Sequence, residues 1–332
     1  MHALWHQWLQ QPGIELTADQ ISSAPAHDLL TSVIPLTDAC ILSVSGPDAH
    51  KFLQGQLSCD LAEVDRRGSL PGAHCNIKGH MHSLYQVIHA GEARYWLRTR
   101  SAMATDALTL LKKYIIFSKA EAMQEADLLG IGLAGPEAVN LGEQIQTCIS
   151  GSALARHSDT LIECWFPADQ LEQVMQLATA TAGLANSNTW ELAAVNAAIP
   201  DLFPATREAF IPQMTNLQVF DGVSFTKGCY TGQEIVTRLQ HRGQLKRPMY
   251  LAEVDTQQPP AAGMNLASAD KESVGQLVRV AQCGEQRHRV LAVIIKDQAE
   301  QQSIHLENAA GPALTLKELP YVLDPRLFES KR

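Results

Sequence analysis

Two segments in the middle of the chain each have the pattern of a strand followed by a helix, and this repeat most restricts the possible folds. Residues 128–133 are apolar and β-prone, and Gly135-Pro136 follows and opens a helix. Residues 161–166 form a second such run, and Pro167 opens the next helix. Proline is favoured in the first helical turn because the N–H it lacks would have no partner there. The two β-α units predict a split β-α-β, ferredoxin-like module.

The flanking segments predict a mixed α+β protein with an all-β end. Apolar runs and turn residues predict strands at 39–45, 73–77, 83–89 and 94–98, and helices at 48–57, 101–114 and 190–198. After Arg247-Pro248 the chain changes to short β-prone runs separated by proline, glycine and aspartate, at 249–254, 274–280, 290–295, 303–306 and 313–316. This last pattern is typical of a small β-barrel or sandwich.

Length, charge and hydropathy limit the class of protein. A chain of 332 residues with 45% hydrophobic residues can bury a large core and favours two or three domains. The net charge of −9 argues against a protein that coats nucleic acid, because that affinity depends on neutralising phosphates. The first residues lack a secretory pattern, and no apolar stretch reaches the roughly 18 residues that span a bilayer. We expect a cytoplasmic protein that does not contact a membrane.

The cysteines and histidines are the residues that could bind a metal ion. The seven cysteines are widely spaced and include no Cys-x-x-Cys pair, which excludes the usual zinc ribbon and a disulfide framework. His74, Cys75, His80 and His82 lie close in sequence, but zinc requires four converging ligands with a recognised spacing. We therefore predict no metal site, and interpret His80 as a solvated residue.

Residues 222–243 contain the strongest candidate for chemistry. Gly228 and Gly232 bracket Cys229, Lys227 precedes it, and a helix with Ile235 on one face follows. A thiol near a helix amino terminus and an ammonium group is favoured as the thiolate, which is the nucleophile and metal ligand. The alternative is that Cys229 is a small buried hydrophobic residue, as free cysteines often are.

The same segment resembles the signature octapeptide of the YgfZ family, relatives of the aminomethyltransferase of glycine cleavage. The octapeptide here runs from Lys227 to Glu234, and Phe210 to Leu217 resembles the family's FIPQ-x-TNL element. Shorter matches occur at Phe52 to Leu57, at the Cys75-x-x-Lys78-Gly79 turn, and at Lys113-Tyr114-x-x-Phe117-Ser118-Lys119. The matches cover the chain from about residue 30 to its end.

The resemblance implies an α+β, three-domain aminomethyltransferase-like fold around a channel that can hold a tetrahydrofolate. A discontinuous folate-binding-like domain would comprise 30–120 and 190–245. The ferredoxin-like domain would comprise 121–189, and the C-terminal β-barrel 246–330.

The resemblance also implies folate-binding residues. Trp190 matches a tryptophan that the family places near folate, although it could equally anchor its helix in the core. Asn196 stands where many relatives have a pterin-binding glutamate, and Ala39 replaces a second tryptophan. An amide cannot supply the charge-assisted bonds of a carboxylate, so we expect tetrahydrofolate or a derivative to bind weakly.

Two functions remain open. The resemblance implies a folate-binding accessory protein that supports iron–sulfur enzymes or their assembly factors, and thereby tRNA methylthiolation, with Cys229 as the reactive thiol and Lys227 as its neighbour. The alternative is a folate-dependent aminomethyltransferase or demethylase, for which Asn196 is a poor replacement of the carboxylate. The basic run Arg238, His241, Arg242, Lys246 and Arg247 could bind an anion, but a solvated helix face is the commoner explanation. We expect no stable direct binding to nucleic acid.

Overall fold

The structure is a computed structural model that describes residues 2–11, 14–17, 20–23 and 30–329. Its helices are α1 (Ala3–Leu9), α2 (Ala49–Gln56), α3 (Leu61–Arg67), α4 (Ser101–Ile115), α5 (Ala138–Cys148), α6 (Leu171–Thr179), α7 (Ser187–Asn196), α8 (Gln233–Arg242) and α9 (Lys296–Gln301). Its strands are β1 (Ile14–Thr17), β2 (Gln20–Ser23), β3 (Ser32–Pro35), β4 (Ala39–Ser45), β5 (Ser69–Cys75), β6 (Met81–His89), β7 (Arg94–Arg100), β8 (Glu121–Gln124), β9 (Leu128–Ala134), β10 (Ala153–Ser158), β11 (Leu161–Pro167), β12 (Gly183–Leu184), β13 (Met249–Asp255), β14 (Asn265–Ala267), β15 (Gly275–Gln282), β16 (Arg287–Ile294), β17 (His305–Leu306) and β18 (Leu314–Lys317).

The chain divides into two compact units. The first comprises Met1–Leu53, Leu61–Leu70 and Tyr85–Ala193, and the second comprises Gln54–Asp60, Pro71–Leu84 and Ala194–Arg332. The three-domain limits given above divide the chain differently and remain a prediction. Within the described residues, no helix is long and apolar enough to cross a membrane.

The first unit contains the predicted ferredoxin-like module. Its sheet has the strand order β10-β11-β9-β3-β12, and α5 and α6 connect β9 to β10 and β11 to β12. This confirms both predicted β-α units. Three of its strands were not predicted: β10, which pairs antiparallel with β11, the short β12, which pairs parallel with β3, and β3 itself, which lies between β9 and β12 although it comes from much earlier in the chain.

Strand β9 has two chemically different faces because successive side chains alternate across a sheet. Leu129, Ile131 and Leu133 belong to the buried cluster that includes residues of α5 and α6. Gly130 and Gly132 lie on the other face, where large rings approach the backbone: a Cβ at Gly132 would stand 2.3 Å from Cε3 of Trp190. Glycine is therefore required at this position by the tryptophan that packs on it.

A second sheet has the order β5-β6-β7-β4-β8. It confirms the predicted strands at 39–45 and 94–98 and the hairpin whose turn contains Lys78-Gly79. The predicted helices that flank these strands are α2 and α4. Strand β8, which pairs with β4, was not predicted from the sequence.

The end of the second unit is a closed β-barrel, as predicted. Six strands pair in the order β17-β14-β15-β16-β13-β18. The two terminal strands then meet: His305 and Ala313 form an antiparallel bridge, and the N–H of Leu314 donates to the carbonyl of Ile304 at 2.8 Å. Closure satisfies the edge groups that an open sheet leaves unpaired. The interior is filled by aliphatic residues such as Val254, Leu277 and Ala292.

Candidate functional site

Cys229 lies in the loop that leads to α8, within the second unit. The loop ends at Gly232, which is the residue before the first helical turn, so Cys229 lies three residues upstream of that position. Its side chain is exposed and its thiol is free. The alternative of a buried structural cysteine therefore does not describe Cys229, and a reagent or partner protein can reach the sulfur.

The segment 54–60 holds this loop at several points. The Ser58 hydroxyl donates to the carbonyl of Gly222 at 2.5 Å, and the Ser58 carbonyl accepts the N–H of Ser224 at 2.8 Å. Closer to the helix, the N–H of Thr231 donates to the carbonyl of Gly55 at 3.3 Å. Bonds on both sides of Cys229 restrict the backbone that carries it, so the loop is anchored rather than free.

Lys227 is part of this anchoring. Its Nζ donates to the carbonyls of Leu57 at 2.8 Å and Cys59 at 2.6 Å, and lies 5.2 Å from the centroid of the Tyr230 ring. Burial of the ammonium lowers the pKa of Lys227 to about 8, against the opposing influence of Cys59 and Asp60. The Lys227 ammonium group thus contacts two carbonyls and an aromatic ring. That Lys227 also favours the thiolate form of Cys229 remains a prediction.

The two glycines of the octapeptide have different roles. Gly232 has a φ of +84°, and a Cβ there would stand 2.5 Å from the carbonyl oxygen of Asn76 and 2.9 Å from Cβ of Cys75. Gly228 has open space around the position of a Cβ. Only Gly232 is therefore required by left-handed backbone and close approach. The contact also joins the octapeptide to the Cys75-x-x-Lys78-Gly79 turn.

The neighbouring thiols differ from Cys229 in their environment. Cys59 and Cys75 are buried, and burial raises the pKa of each thiol to about 12. Thiols with such pKa values are protonated at neutral pH and react poorly. In this part of the second unit, the accessible nucleophile is Cys229.

The FIPQ-x-TNL element fixes the helix that follows the loop. Gln213 and Asn216 are fully buried. The Gln213 side-chain Nε2 donates to the carbonyl of Val236 in α8 at 2.5 Å. The Asn216 Nδ2 donates to the carbonyl of Met249 at 3.1 Å, at the start of β13. Buried amides that satisfy backbone carbonyls hold a defined arrangement, because breaking them leaves polar groups unpaired. The element thus positions α8 behind Cys229.

Trp190 lies in α7 and is buried, with an exposed fraction of 4%. Its ring packs on the Gly132 backbone and meets the His157 ring edge-to-face, with 5.7 Å between centroids. These contacts are those of a core anchor in the first unit. Its predicted contact with folate remains a prediction.

Asn196, the second predicted folate residue, is exposed at the end of α7. Its Oδ1 accepts from Nη1 of Arg289 at 2.7 Å, and Arg289 also pairs with Glu253. Six residues separate Asn196 from Trp190, a rotation of about 240° around a helix. The two predicted folate residues therefore do not share a helix face. The predicted thiol site is different, because Cys229 and Lys227 lie in one loop.

Two other polar clusters were named from the sequence: the histidines around Cys75 and the basic residues after the octapeptide. Among the described residues, no group of three or more His, Cys, Asp or Glu side chains could hold a metal ion. His74 is buried, and burial together with His82 lowers its pKa to about 4. His82 Nδ1 lies 2.8 Å from Oε1 of Glu208. The basic residues that follow the octapeptide, from Arg238 to Arg247, have exposed side chains at the five positions named above.

Ser58 belongs to this site although nothing in the sequence pattern predicted it. Ser58 is fully buried and bonds to both Gly222 and Ala73 through its hydroxyl. The available signal was its position directly after the Phe52-to-Leu57 match and before Cys59. A serine beside apolar residues is too common for that signal to select it.

Comparison with known proteins gives the family. No family model matches the chain. The chain is 32% identical over 314 residues to the tRNA-modifying protein YgfZ of Sodalis glossinidius, which covers 90% of this chain and 95% of that protein. It is also 32% identical to the YgfZ proteins of Photobacterium profundum and Yersinia pseudotuberculosis, over 89% and 88% of this chain and 93% of each relative.

Among solved structures, the aminomethyltransferase T of the glycine cleavage system from Bartonella henselae matches with a TM-score of 0.69. The match covers 91% of this chain and 88% of that one at 15% sequence identity. At this identity the likeness shows the fold, and it confirms the predicted α+β, aminomethyltransferase-like architecture. The identity and coverage of the curated relatives show that the chain belongs to the YgfZ family.

Proposed function

We propose that this protein is an accessory factor in tRNA modification that presents the Cys229 thiol to iron–sulfur enzymes or their assembly factors. The observation that supports this most directly is the exposed sulfur on a loop anchored on both sides, at Ser58 and Gly55. The relatives are named tRNA-modifying proteins, which supports the process. The iron–sulfur part of the proposal comes from the family resemblance of the octapeptide.

A partner protein is required by the chemistry of a single thiol. Iron–sulfur clusters are usually held by four cysteine thiolates. Cys59 and Cys75, the other cysteines near the loop, are buried with raised pKa values. As a transient cluster ligand, Cys229 therefore requires the remaining ligands to come from another protein. As a redox-active thiol, it would act on the partner without ligating the cluster.

Folate enters the proposal as a weak ligand. A pterin requires a flat apolar wall and a few directed polar groups in a concave site. Trp190 has its ring against Gly132 and His157, and the Asn196 carbonyl oxygen already accepts from Arg289. Both side chains are therefore already engaged, so we expect folate to bind weakly, and no step of the proposed function passes through folate.

The thiol is tested in cells by replacing Cys229 with alanine. We expect methylthiolated tRNA nucleosides, measured by mass spectrometry, to fall to the level of cells that lack the protein. Cys148→Ala is the matched control because Cys148 is also exposed but lies in α5 of the first unit. Both variants should unfold in urea within about 0.5 kcal/mol of the unsubstituted protein, as for surface substitutions. Normal methylthiolation in the Cys229→Ala cells would refute the proposal.

The ligand is tested separately by calorimetric titration with tetrahydrofolate. We expect weak, saturable binding that Asn196→Ala reduces and that Gln257→Ala, at an exposed amide in the loop after β13, leaves unchanged. If the unsubstituted protein shows no saturable binding, folate is removed from the proposal and the role of Cys229 is unaffected.

A further inference from the structure

The carboxyl end of α4 exposes large apolar side chains in the first unit. Phe117 is 93% exposed, Ile116 is 68% exposed and Tyr114 is 42% exposed. Single exposed apolar residues are normal on protein surfaces, but contiguous ones mark interaction sites. We call residues Lys112 to Lys119 the α4 tip.

The backbone of the α4 tip is fixed where it leaves the helix. The N–H of Ser118 donates to the carbonyl of Ile115 at 2.8 Å, and the N–H of Lys119 donates to Oδ2 of Asp48 at 2.7 Å. Gly46, with a φ of +123°, lets the chain approach closely: a Cβ there would stand 2.6 Å from the carbonyl oxygen of Lys119. The tip therefore displays Ile116 and Phe117 from an anchored turn, which reduces the entropy lost on binding.

Lysines flank these apolar residues in sequence on both sides, and the Asp48 carboxylate lies at the Lys119 backbone. Lys112, Lys113 and Lys119 are exposed, and Lys113 Nζ lies 5.4 Å from the centroid of the Tyr114 ring. Glu121 is the one acidic residue between positions 112 and 124, although the whole chain carries a net charge of −9. An apolar centre with a charged rim is the usual composition of a protein–protein contact.

We propose that the α4 tip docks into an apolar pocket with a carboxylate rim on a partner protein. The adjacent Ile116 and Phe117 fill an apolar pocket, and the three lysines match acidic groups around it. RNA is a poorer match, because Ile116 cannot stack on a base and binding of a strand depends on a row of aromatic rings in a basic groove. A second copy of this chain would bring the lysines of two tips together. The choice of an iron–sulfur enzyme as this partner rests on the proposed function above.

The test is the affinity of the purified full-length protein for the tRNA-methylthiolating iron–sulfur enzyme of the source organism, measured by biolayer interferometry. We expect Phe117→Ser to weaken the complex at least tenfold. Lys112→Glu with Lys113→Glu should slow association and remove its dependence on salt, because rim charges chiefly steer encounter. Val322→Ser is the matched control: Val322 is 90% exposed in the second unit, and its replacement should leave the affinity unchanged.

Three outcomes would overturn the docking proposal. In the first, the enzyme binds the Phe117→Ser variant as tightly as the unsubstituted protein. In the second, the enzyme does not bind the unsubstituted protein. In the third, Phe117→Ser weakens binding to unmodified tRNA, or self-association in sedimentation, as strongly as it weakens binding to the enzyme. Cys229 is intact in these variants, so the methylthiolation assay with Cys229→Ala decides the proposed function independently.

Discussion

Glu163 is a fully buried carboxylate in the first unit, and its neighbours keep it ionised. Arg98 Nε and His157 Nε2 each lie 3.1 Å from its Oε1, and Nε1 of Trp165 donates to its Oε2 at 2.8 Å. Burial by itself would raise the pKa of Glu163. The charge of Arg98 and the hydrogen bonds from His157 and Trp165 outweigh burial and lower that pKa to about 2. His157 also packs against Trp190, so this cluster lies beside a predicted folate residue.

The lowered pKa predicts how stability depends on pH. Because the carboxyl has a lower pKa folded than unfolded, its contribution is present above about pH 4.5 and is lost as pH falls toward about 2. Glu163→Gln should lower the free energy of unfolding at pH 7 by about 3–5 kcal/mol, since it removes the buried carboxylate charge that pairs with Arg98. Urea unfolding across pH checks this, with exposed Glu143→Gln as control. A difference between variant and unsubstituted protein that stays constant from pH 7 to pH 2 would contradict the prediction.

At Cys229 and Lys227, residue type alone does not determine burial or side-chain direction. A cysteine between two glycines is equally compatible with an exposed nucleophile and a buried hydrophobic residue. The structure places the sulfur at the surface because segment 54–60 bonds to the loop on both sides of it. Lys227 turns toward the carbonyls of that same segment. Proximity in sequence therefore predicted one shared loop, while side-chain direction depended on contacts more than 160 residues away.

At the scale of elements, α8 is positioned by three separated pieces of sequence. Segment 54–60 holds its preceding loop, the turn at Cys75 to Gly79 packs on Gly232, and Gln213 donates to Val236 within the helix. These pieces overlap short sequence matches that contribute to the family resemblance, although Ser58 lies just outside its match. Their common structural task is to fix the amino end of α8 and the thiol before it.

The two octapeptide glycines provide a matched test of this positioning. Gly232→Ala should lower the free energy of unfolding by about 1–3 kcal/mol, because it combines positive φ with overlap at the Asn76 carbonyl. Gly228→Ala should change it by no more than about 0.5 kcal/mol, since the position is open. Chemical denaturation measures both, and the rate of thiol alkylation at Cys229 reports whether the loop has moved. Equal effects of the two substitutions would show that the loop is not packed as described.

At the scale of the whole molecule, net charge limits the partners. The chain carries −9, and the basic side chains from Arg238 to Arg247 are exposed on one short segment. Nucleic-acid affinity grows with the number of phosphates that a protein neutralises. We expect few such contacts on an acidic protein, and the proposed function accordingly reaches tRNA through a partner enzyme.

The acidic net charge predicts weak binding to tRNA itself. At physiological salt we expect a Kd no tighter than about 10⁻⁵ M for unmodified tRNA, within the range of non-specific binding. Filter binding at several salt concentrations measures it. The double variant Arg238→Glu, Arg242→Glu is the comparison. Submicromolar binding that this variant abolishes would identify a direct RNA site and replace the indirect role proposed here.

The amino-acid sequence by itself determined the class of most of the long elements and the family. The β-α units at 128–180, the helix at 101–114 and the β-rich end follow from local periodicity and turn residues, and the structure confirms them. These features are local, since hydrophobic spacing and proline position act within a few residues. The octapeptide was sufficient to indicate the YgfZ family, which the comparisons confirm.

Tertiary structure alone decided everything that depends on distant residues. Strand β3 inserts between β9 and β12, and β17 and β18 meet to close the barrel, because hydrogen bonding between strands is independent of their separation in sequence. The same is true of burial. Trp190 lies in the core because Gly132 leaves room for its ring, whereas Cys229 lies at the surface because remote backbone groups hold its loop there. A residue's type sets the chemistry it can perform, but its accessibility is set by the rest of the fold.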